Sequence, residues 1–298
     1  MIAANPAPGD QTSGISAPTE REAMDWSLVL LSQGIEPTLL RDDTNNAWQL
    51  VIPSQHFDAG RDSIRLYEQE NRAWPFRHPL PWPGFAFDWT VLAWATLLAV
   101  FYALQTQPDS DMEAAGSCSA KLVRAGEWWR LLTATLLHAN VGHLASNAVF
   151  GVLLLGLVMG RFGAGVGLLA AHLAGAAGNA FPLLWRGDTS AGLGASGVVL
   201  AALGLLAADA VVFQVRHHQP RRFLIGAMAG GLMLFVLIGV APGSDVAAHL
   251  GGFLAGLMIG APLALAPLTA IRKARWNWLA GVTFAALIIT AWWLALRR

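Results

Sequence analysis

Three clusters of polar residues interrupt the long apolar stretches of this sequence. The first contains His143 and Asn147, the second surrounds Ser196, and the third begins at His249. A serine hydroxyl that lies beside a histidine can act as a nucleophile, with the histidine as its general base. Side chains that donate hydrogen bonds can stabilise the oxyanion that forms when a carbonyl group is attacked. The residue types therefore indicate acyl-transfer chemistry, provided that the fold brings the three clusters together.

The elements that carry these clusters are apolar spans. Apolar residues make up 55% of the 298 residues and charged residues 13%, whereas about 25% of the residues in soluble domains are charged. Seven windows without Asp, Glu, Lys or Arg are about 20 residues or longer, enough for a helix to cross ~30 Å of hydrocarbon. These windows are Trp89–Pro108, Val141–Gly160, Phe162–Trp185, Thr189–Ala208, Phe223–Ser244, Val246–Ile271 and Trp276–Leu296. We therefore predict an all-α polytopic membrane protein and not a large soluble protein with buried helices.

The order of the spans predicts that the clusters meet. Each cluster lies near the start of its span, and these are the second, fourth and sixth spans, which run in the same direction. The clusters must then lie at the same depth on the same side of the membrane, whichever way the chain is inserted. Gly252 and Gly256 follow His249 at i+3 and i+7, and Gly204 follows Ser196 at i+8. Because small residues let membrane helices approach closely, we predict that His249 lies within hydrogen-bond reach of Ser196.

Each cluster also has a structural alternative when it is taken alone. The glycine-rich run around Ser196 is typical of a packing face of small residues. A single histidine such as His249 can simply bond a backbone carbonyl. His143 and Asn147, at i and i+4, share one helix face, and such side chains often bond neighbouring membrane helices. It is the joint position of the clusters that favours a catalytic site.

Together, the motifs resemble the signature of the rhomboid family of intramembrane serine proteases. The resemblance rests on His138-x4-His143-x3-Asn147, Gly194-Ala-Ser196-Gly197 and Ala-His249-x2-Gly252-x3-Gly256, in this order and on the corresponding spans. The upstream run Glu127-Trp-Trp129-Arg130 resembles the tryptophan-arginine motif of the family's first external loop. The similarity extends from about Phe85 to Ala266.

The resemblance implies a serine endopeptidase that hydrolyses peptide bonds in the transmembrane segments of other proteins. Ser196 and His249 would form a catalytic dyad, and His143 and Asn147 would form the oxyanion hole with the backbone amide of Ser196. The residues expected to support this site are Gly194, Gly197, Gly204, Gly252, Gly256, Trp129, Arg130 and His138. The expected partners are single-pass transmembrane substrates and the lipid bilayer, with no metal, no cofactor and no nucleic acid.

One position departs from the family pattern. Many bacterial members carry an aromatic residue four positions after the serine, packed on the catalytic histidine, and here that position is Leu200. Leucine keeps apolar packing without an aromatic face, so the group that holds the His249 ring is left open. Asp245, four residues before His249, could share its helix face and orient it, or could simply mark the exposed end of the span.

The domain organisation follows from composition and periodicity. Residues 1–20 are rich in Ala, Pro, Gly, Ser and Thr and are predicted to form a disordered tail. Residues 21–73 read as helix, two strands and helix, which predicts a small soluble α+β domain. A Pro- and Trp-rich linker over 74–86 precedes a six-helix core over 87–268. A basic loop and a seventh transmembrane helix over 269–298 complete a 6+1 arrangement, which is known in the rhomboid family.

Basic residues near the spans predict the orientation. One side would carry Arg61, Arg65, Arg72, Arg77, Arg161, the Arg216–Arg222 loop and the Arg272–Arg275 loop; the other would carry Lys121, Arg124, Arg130, Arg186, Arg297 and Arg298. The first set is larger, which predicts a cytoplasmic N-terminal domain in the cell (inner) membrane and a site that opens to the external or periplasmic side. Met1–Ile15 contains no basic region followed by an apolar run, so no cleavable signal is expected. The single Cys118 excludes an intramolecular disulfide.

Other functions fit the sequence less well. The runner-up is a catalytically inactive rhomboid-like protein that binds membrane clients, but such relatives typically lack the serine or the histidine, and both are present here. A small-solute transporter would carry charged residues at mid-membrane and an internal repeat, and we find neither. A zinc-dependent intramembrane protease would carry a His-Glu-x-x-His motif, which the sequence lacks.

Overall fold

The computed structural model describes residues 11–42, 47–72, 86–188, 191–216, 221–240 and 244–297. The chain divides into two compact units, Met1–Trp82 and Pro83–Arg298. Apart from Ala86, the linker predicted over 74–86 lies outside the described residues.

The described part of the N-terminal unit contains a three-stranded antiparallel sheet and two helices. The strands are β1 (Thr12–Ala17), β2 (Thr38–Asp42) and β3 (Ala47–Pro53), and the helices are α1 (Glu20–Ser32) and α2 (Phe57–Asn71). β3 is the central strand and pairs with β1 on one side and β2 on the other. The hydrophobic core of this unit includes Trp26, Leu30, Leu50 and Ile52.

The prediction of a disordered tail over 1–20 is wrong for the stretch that forms β1. Thr12–Ala17 pairs with β3 from Trp48 to Pro53, with Thr12 opposite Pro53 and Ala17 opposite Trp48. Its composition is that of a loop, but Ala17 is fully buried and Ile15 packs against the same core. A central strand needs hydrogen-bond partners on both edges, and β1 supplies the second edge of β3.

The second unit is a bundle of apolar helices. Among its described residues, five helices are long and apolar enough to cross a membrane, and two apolar helices are shorter. The long helices are α7 (Val141–Phe162), α8 (Ala164–Ala180, extended by a 3-10 turn to Leu184), α9 (Ser196–Arg216), α11 (Val246–Leu265) and α13 (Ala274–Leu296), and the shorter ones are α3 (Val91–Gln105) and α10 (Arg221–Gly239). All seven occupy predicted windows, and the fold is that of a polytopic helical membrane protein with a small N-terminal sheet region.

The connection between α3 and α7 is folded onto the bundle. It contains α4 (Met112–Gly116), β4 (Cys118–Ser119), α5 (Ala120–Arg124) and α6 (Arg130–Thr133), and β4 pairs with β5 (Ala191–Gly192) just before α9. A short helix α12 (Leu268–Ile271) joins α11 to α13. The β4–β5 pairing ties this connection to the segment that leads into Ser196.

Glycines let α9 and α11 pack with their backbones in contact. A Cβ atom placed on Gly252 would lie 2.5 Å from the Gly197 carbonyl oxygen. Cβ atoms on Gly256 and Gly204 would overlap the carbonyl oxygens of Ala201 and Phe253. The close approach that the glycine spacing predicts is therefore present along the length of the two helices.

Gly256→Ala tests this packing. The added methyl group overlaps a backbone oxygen that cannot move aside, so we expect the free energy of unfolding to fall by about 1–3 kcal/mol, the usual cost of overpacking. Gly230→Ala in α10 is the matched control, because no described atom outside its own helix turns lies within 4 Å of its Cβ position. Unfolding of both variants in detergent measures the difference, and equal stability of Gly256→Ala and Gly230→Ala would contradict the packing described.

Candidate active site

Ser196 begins α9 immediately after a backbone turn that only glycine makes easily. Gly194 has φ 131°, a conformation that residues with a Cβ rarely adopt. A Cβ there would also lie 2.6 Å from Cε1 of His143. The Gly194 amide donates to the Ala134 carbonyl at 2.8 Å, which fixes the turn. Glycine is thus needed both for the turn and for the space beside His143.

The Ser196 hydroxyl lies in hydrogen-bond contact with the imidazole of His249. The distance from Ser196 Oγ to His249 Nε2 is 2.7 Å, and Nδ1 of the same ring lies 2.7 Å from the Gly239 carbonyl oxygen. A carbonyl oxygen can only accept, so Nδ1 carries the proton and Nε2 presents a lone pair to the serine hydroxyl. This is the tautomer that a general base needs.

The suggestion that Asp245 orients His249 is wrong. Asp245 Oδ2 forms an ion pair with Arg186 Nη1 at 2.7 Å, and Oδ1 accepts from the Ala248 amide at 3.1 Å, which caps the start of α11. The carboxylate therefore fixes the beginning of the helix, and the Gly239 carbonyl orients the ring.

Leu200 contributes to this arrangement through Gly239. Its side chain is fully buried, and Cδ1 lies 3.6 Å from the Cβ position of Gly239. The question left open by the missing aromatic residue thus has an answer in the structure. Leu200 packs against the residue whose carbonyl holds the imidazole. The sequence gives little indication that the Gly239 carbonyl binds His249. A glycine at the end of an apolar span indicates only a helix C-terminus, where the carbonyls lack intrahelical partners.

Asn147 and His143 lie on the same face of α7 and point to the segment before Ser196. Asn147 is only 5% exposed, and its Nδ2 has no hydrogen-bond partner in the described part of the protein. That nitrogen lies 3.7 Å from the Cβ position of Gly194. Because an unpaired buried amide costs about 1–3 kcal/mol, its retention here is consistent with a ligand-facing donor. The Ser196 amide, at the first position of α9, also lacks an intrahelical partner.

These groups converge on one cavity of about 660 Å³. Its lining includes Ser196, His249, His143 and Asn147, together with Asn179 of α8. The residues from α7, α9 and α11 come from the beginnings of those helices. The three clusters therefore meet at one cavity, as the sequence predicts.

His138 supports the site through its contacts with Ala195 and His143. It is fully buried, its Nε2 accepts from the Ala195 amide at 3.4 Å, and its ring lies 5.3 Å from that of His143. Gln105 bonds both backbone groups of His138, at 3.1 and 3.0 Å. Burial, with a further contribution from His143, lowers the pKa of His138 to about 4, so the ring is neutral at physiological pH.

Arg130 stabilises the connection between α3 and α7. Its buried guanidinium pairs with Glu127 at 2.7 Å and donates to the carbonyls of Ala114 and Ser117 at 2.9 and 2.8 Å. Trp129 beside it is also buried. The tryptophan-arginine pair thus lies outside the cavity and holds the fold of the connection.

Arg124 and Arg186 were missed by the sequence reasoning as site supports. Arg124 pairs with Asp188 at 2.5 Å and donates to the Leu183 carbonyl at 2.7 Å. Together with the Arg186–Asp245 ion pair, this holds residues 183–188, which follow α8. Arg124 is the last residue of α5 and Arg186 lies in a loop, and no sequence pattern indicates their partners Asp188 and Asp245.

The known proteins to which this chain is similar are rhomboid proteins. Residues 125–266 match the Rhomboid domain. The chain is 28% identical over 295 residues to "Rhomboid protease GluP" of Bacillus subtilis, covering 86% of this chain and 54% of that protein. It is 32% identical over 167 residues to "RHOMBOID-like protein 4" of Arabidopsis thaliana (55% and 39% covered) and 26% identical over 190 residues to "Rhomboid protease AarA" of Providencia stuartii (56% and 67% covered). The matches thus span about half the length of the first relatives.

The lowered pKa of His138 predicts a pH-dependent stability. Between pH 6.5 and about 4 the unfolded chain binds a proton that the folded chain does not, so stability is complete above pH 6.5 and falls as the pH drops through this window. The contribution is on the order of 3 kcal/mol. Unfolding of the wild type and His138→Gln across this range measures it.

His56→Gln is the control, because it removes one imidazole from an exposed position of the N-terminal unit. We expect His138→Gln to flatten the pH dependence and His56→Gln to leave it unchanged. Identical slopes for His138→Gln and the wild type would show that the ring is not held neutral by the fold.

Proposed function

We propose that this chain, which matches the Rhomboid domain over residues 125–266, is a rhomboid-family intramembrane serine endopeptidase that uses Ser196 as nucleophile and His249 as general base. The comparisons support an intramembrane protease in general terms. The observation that carries the specific assignment is the 2.7 Å contact between Ser196 Oγ and His249 Nε2, in a ring whose other nitrogen is bonded to a carbonyl.

Acylation follows from this geometry. Ser196 Oγ attacks the carbonyl carbon of the scissile peptide bond, and its proton passes to Nε2 of His249. The negative charge that develops on the carbonyl oxygen is stabilised by Asn147 Nδ2, His143 and the Ser196 amide. When the C–N bond breaks, Nε2 returns the proton to the leaving amine. The product is an ester between Ser196 and the N-terminal part of the substrate.

Deacylation reverses the roles. His249 Nε2 removes a proton from water, the hydroxide attacks the ester carbonyl, and the proton passes to Ser196 Oγ as the C–O bond breaks. The imidazolium that forms in each half-reaction faces the Gly239 carbonyl dipole, where a triad would have a carboxylate. Water reaches the site through the cavity that Ser196 and His249 line.

The position of the cavity supports the proposed substrate class and orientation. It opens at the ends of α7, α9 and α11, so a transmembrane helix would have to unwind near that membrane face to present an extended peptide bond. The opposite end of the bundle carries Arg161, Arg216 and the basic Arg272–Arg275 loop. By the excess of basic residues on cytoplasmic sides, the site would open to the external or periplasmic side of the cell membrane, with the N-terminal unit in the cytoplasm.

An inactive, client-binding member of the family is the alternative, and the intact contact between serine and histidine speaks against it. A protein retained only for binding has no need to hold His249 in the basic tautomer toward Ser196.

Cleavage of a single-pass transmembrane test substrate by the purified full chain tests the proposal. We expect Ser196→Ala to abolish cleavage, because no other hydroxyl among the described residues contacts Nε2 of His249, while thermal unfolding shows that the variant folds. Ser110→Ala, a serine outside the cavity, is the matched control and should cleave at the wild-type rate.

A serine-directed fluorophosphonate gives a second readout on the same variants. The adduct should map to Ser196 and not to Ser146 or Ser244, the other serines of the cavity, and His249→Ala should prevent labelling. Cleavage that persists in Ser196→Ala would overturn the assignment, and a folded wild type that neither cleaves nor labels would favour the client-binding alternative.

A further inference from the structure

A second concave surface lies on the outside of the bundle, at the end opposite Ser196. This groove, called here the α11–α13 groove, has a volume of about 520 Å³ and lies between α8, α11, α12 and α13. Its walls include Leu169 and Leu173 of α8, Ile259 and Leu263 of α11, and Trp276 and Leu279 of α13. Ile259 and Leu263 follow His249 by 10 and 14 residues, which places the groove roughly 15–20 Å along α11 from the dyad.

The groove offers little hydrogen-bonding surface to a polar ligand. The polar side-chain groups in its lining are the Thr283 hydroxyl and the Trp276 indole. The hydroxyl donates to the Leu279 carbonyl of its own helix at 2.9 Å. A surface of this kind at membrane depth fits a hydrocarbon chain.

The mouth of the groove is cationic. Ile271 and Trp276 both line the groove, and the residues between them include Arg272, Lys273 and Arg275, all of them exposed. Arg275 lies with its guanidinium carbon 5.2 Å from the centre of the Trp276 ring, so its charge is at the groove wall. Tryptophan is typical of the membrane interface, at the level of the lipid headgroups.

These cations face no carboxylate in the described part of the chain. The sequence contains no Asp or Glu after Asp245, and none of the ion pairs among the described residues involves this loop. Arg272 donates to the Gly160 carbonyl at 2.9 Å, which uses one of its five N–H groups. The rim therefore presents positive charge directly beside an apolar groove.

We propose that the α11–α13 groove and its basic rim bind one anionic phospholipid. One acyl chain would lie in the groove, and the headgroup phosphate would accept hydrogen bonds from Arg272, Lys273 and Arg275. The apolar groove alone cannot select one lipid over another, because an acyl chain is as well solvated by the surrounding lipid tails as by apolar side chains. The headgroup charge is therefore what makes the site selective. Each Lys or Arg near an anionic surface contributes an amount equivalent to roughly a fivefold gain in affinity.

Mass spectrometry of the intact, detergent-solubilised full chain tests this proposal. The delipidated protein is titrated with phosphatidylglycerol or phosphatidylcholine of identical acyl chains, and retained lipid is counted. We expect the wild type to retain phosphatidylglycerol selectively. The double variant Lys273→Gln/Arg275→Gln should lose affinity for it by about 25-fold, since two cations are removed. Arg272 is left intact because it also bonds the Gly160 carbonyl.

Two further variants distinguish the rim from the groove and from general charge. Arg297→Gln removes one cation at the other end of α13, where Arg297 lies over Trp293, and should retain phosphatidylglycerol as the wild type does. Ala270→Phe fills the groove and should reduce retention although all rim charges remain. Equal retention of the two lipids by the wild type, or full retention by the double variant or by Ala270→Phe, would overturn the proposal. These outcomes do not depend on whether the protein cleaves a substrate.

Discussion

The hydrogen bond between Nδ1 of His249 and the Gly239 carbonyl oxygen, 2.7 Å long, sets the state of the candidate site. It decides which imidazole nitrogen carries the proton, and therefore whether Nε2 can accept from Ser196. The acceptor is a backbone group at the C-terminal end of α10, one of the helix carbonyls that have no intrahelical partner. Three helices thus meet at this point, because α9 supplies the serine, α11 the histidine and α10 the group that orients it.

Several features of the bundle serve this alignment. Gly252, Gly256 and Gly204 allow α9 and α11 to approach until backbones touch, which makes a 2.7 Å contact between their side chains possible. Leu200 packs against Gly239 from the α9 side. The ion pair of Asp245 with Arg186 fixes the first turn of α11 just before His249. The proposed dyad has no carboxylate to hold its histidine, so its geometry depends on helix packing.

The sequence was sufficient to locate the principal side chains of the site. Polar residues inside apolar spans are rare and expensive, so His143, Asn147, Ser196 and His249 stand out, and the direction of their spans places them at one depth. Glycine spacing predicted the faces through which α9 and α11 pack. What the sequence did not reveal was carried by backbone groups and by loops. The Gly239 carbonyl has no side-chain signature. The i to i+4 spacing of Asp245 and His249 suggested that the two side chains are in contact, but the Asp245 carboxylate binds Arg186 and the Ala248 amide. β1 was missed because its small polar residues have the composition of a loop.

The tautomer of His249 is the most direct test of this account. The 15N chemical shifts of its imidazole can be measured in the full chain, labelled at histidine and held in micelles, with the resonances assigned by their loss in His249→Gln. The account predicts a neutral ring protonated at Nδ1, with an unprotonated Nε2 that accepts from Ser196. A ring protonated at Nε2 could not accept the serine proton and would contradict the role of the Gly239 carbonyl.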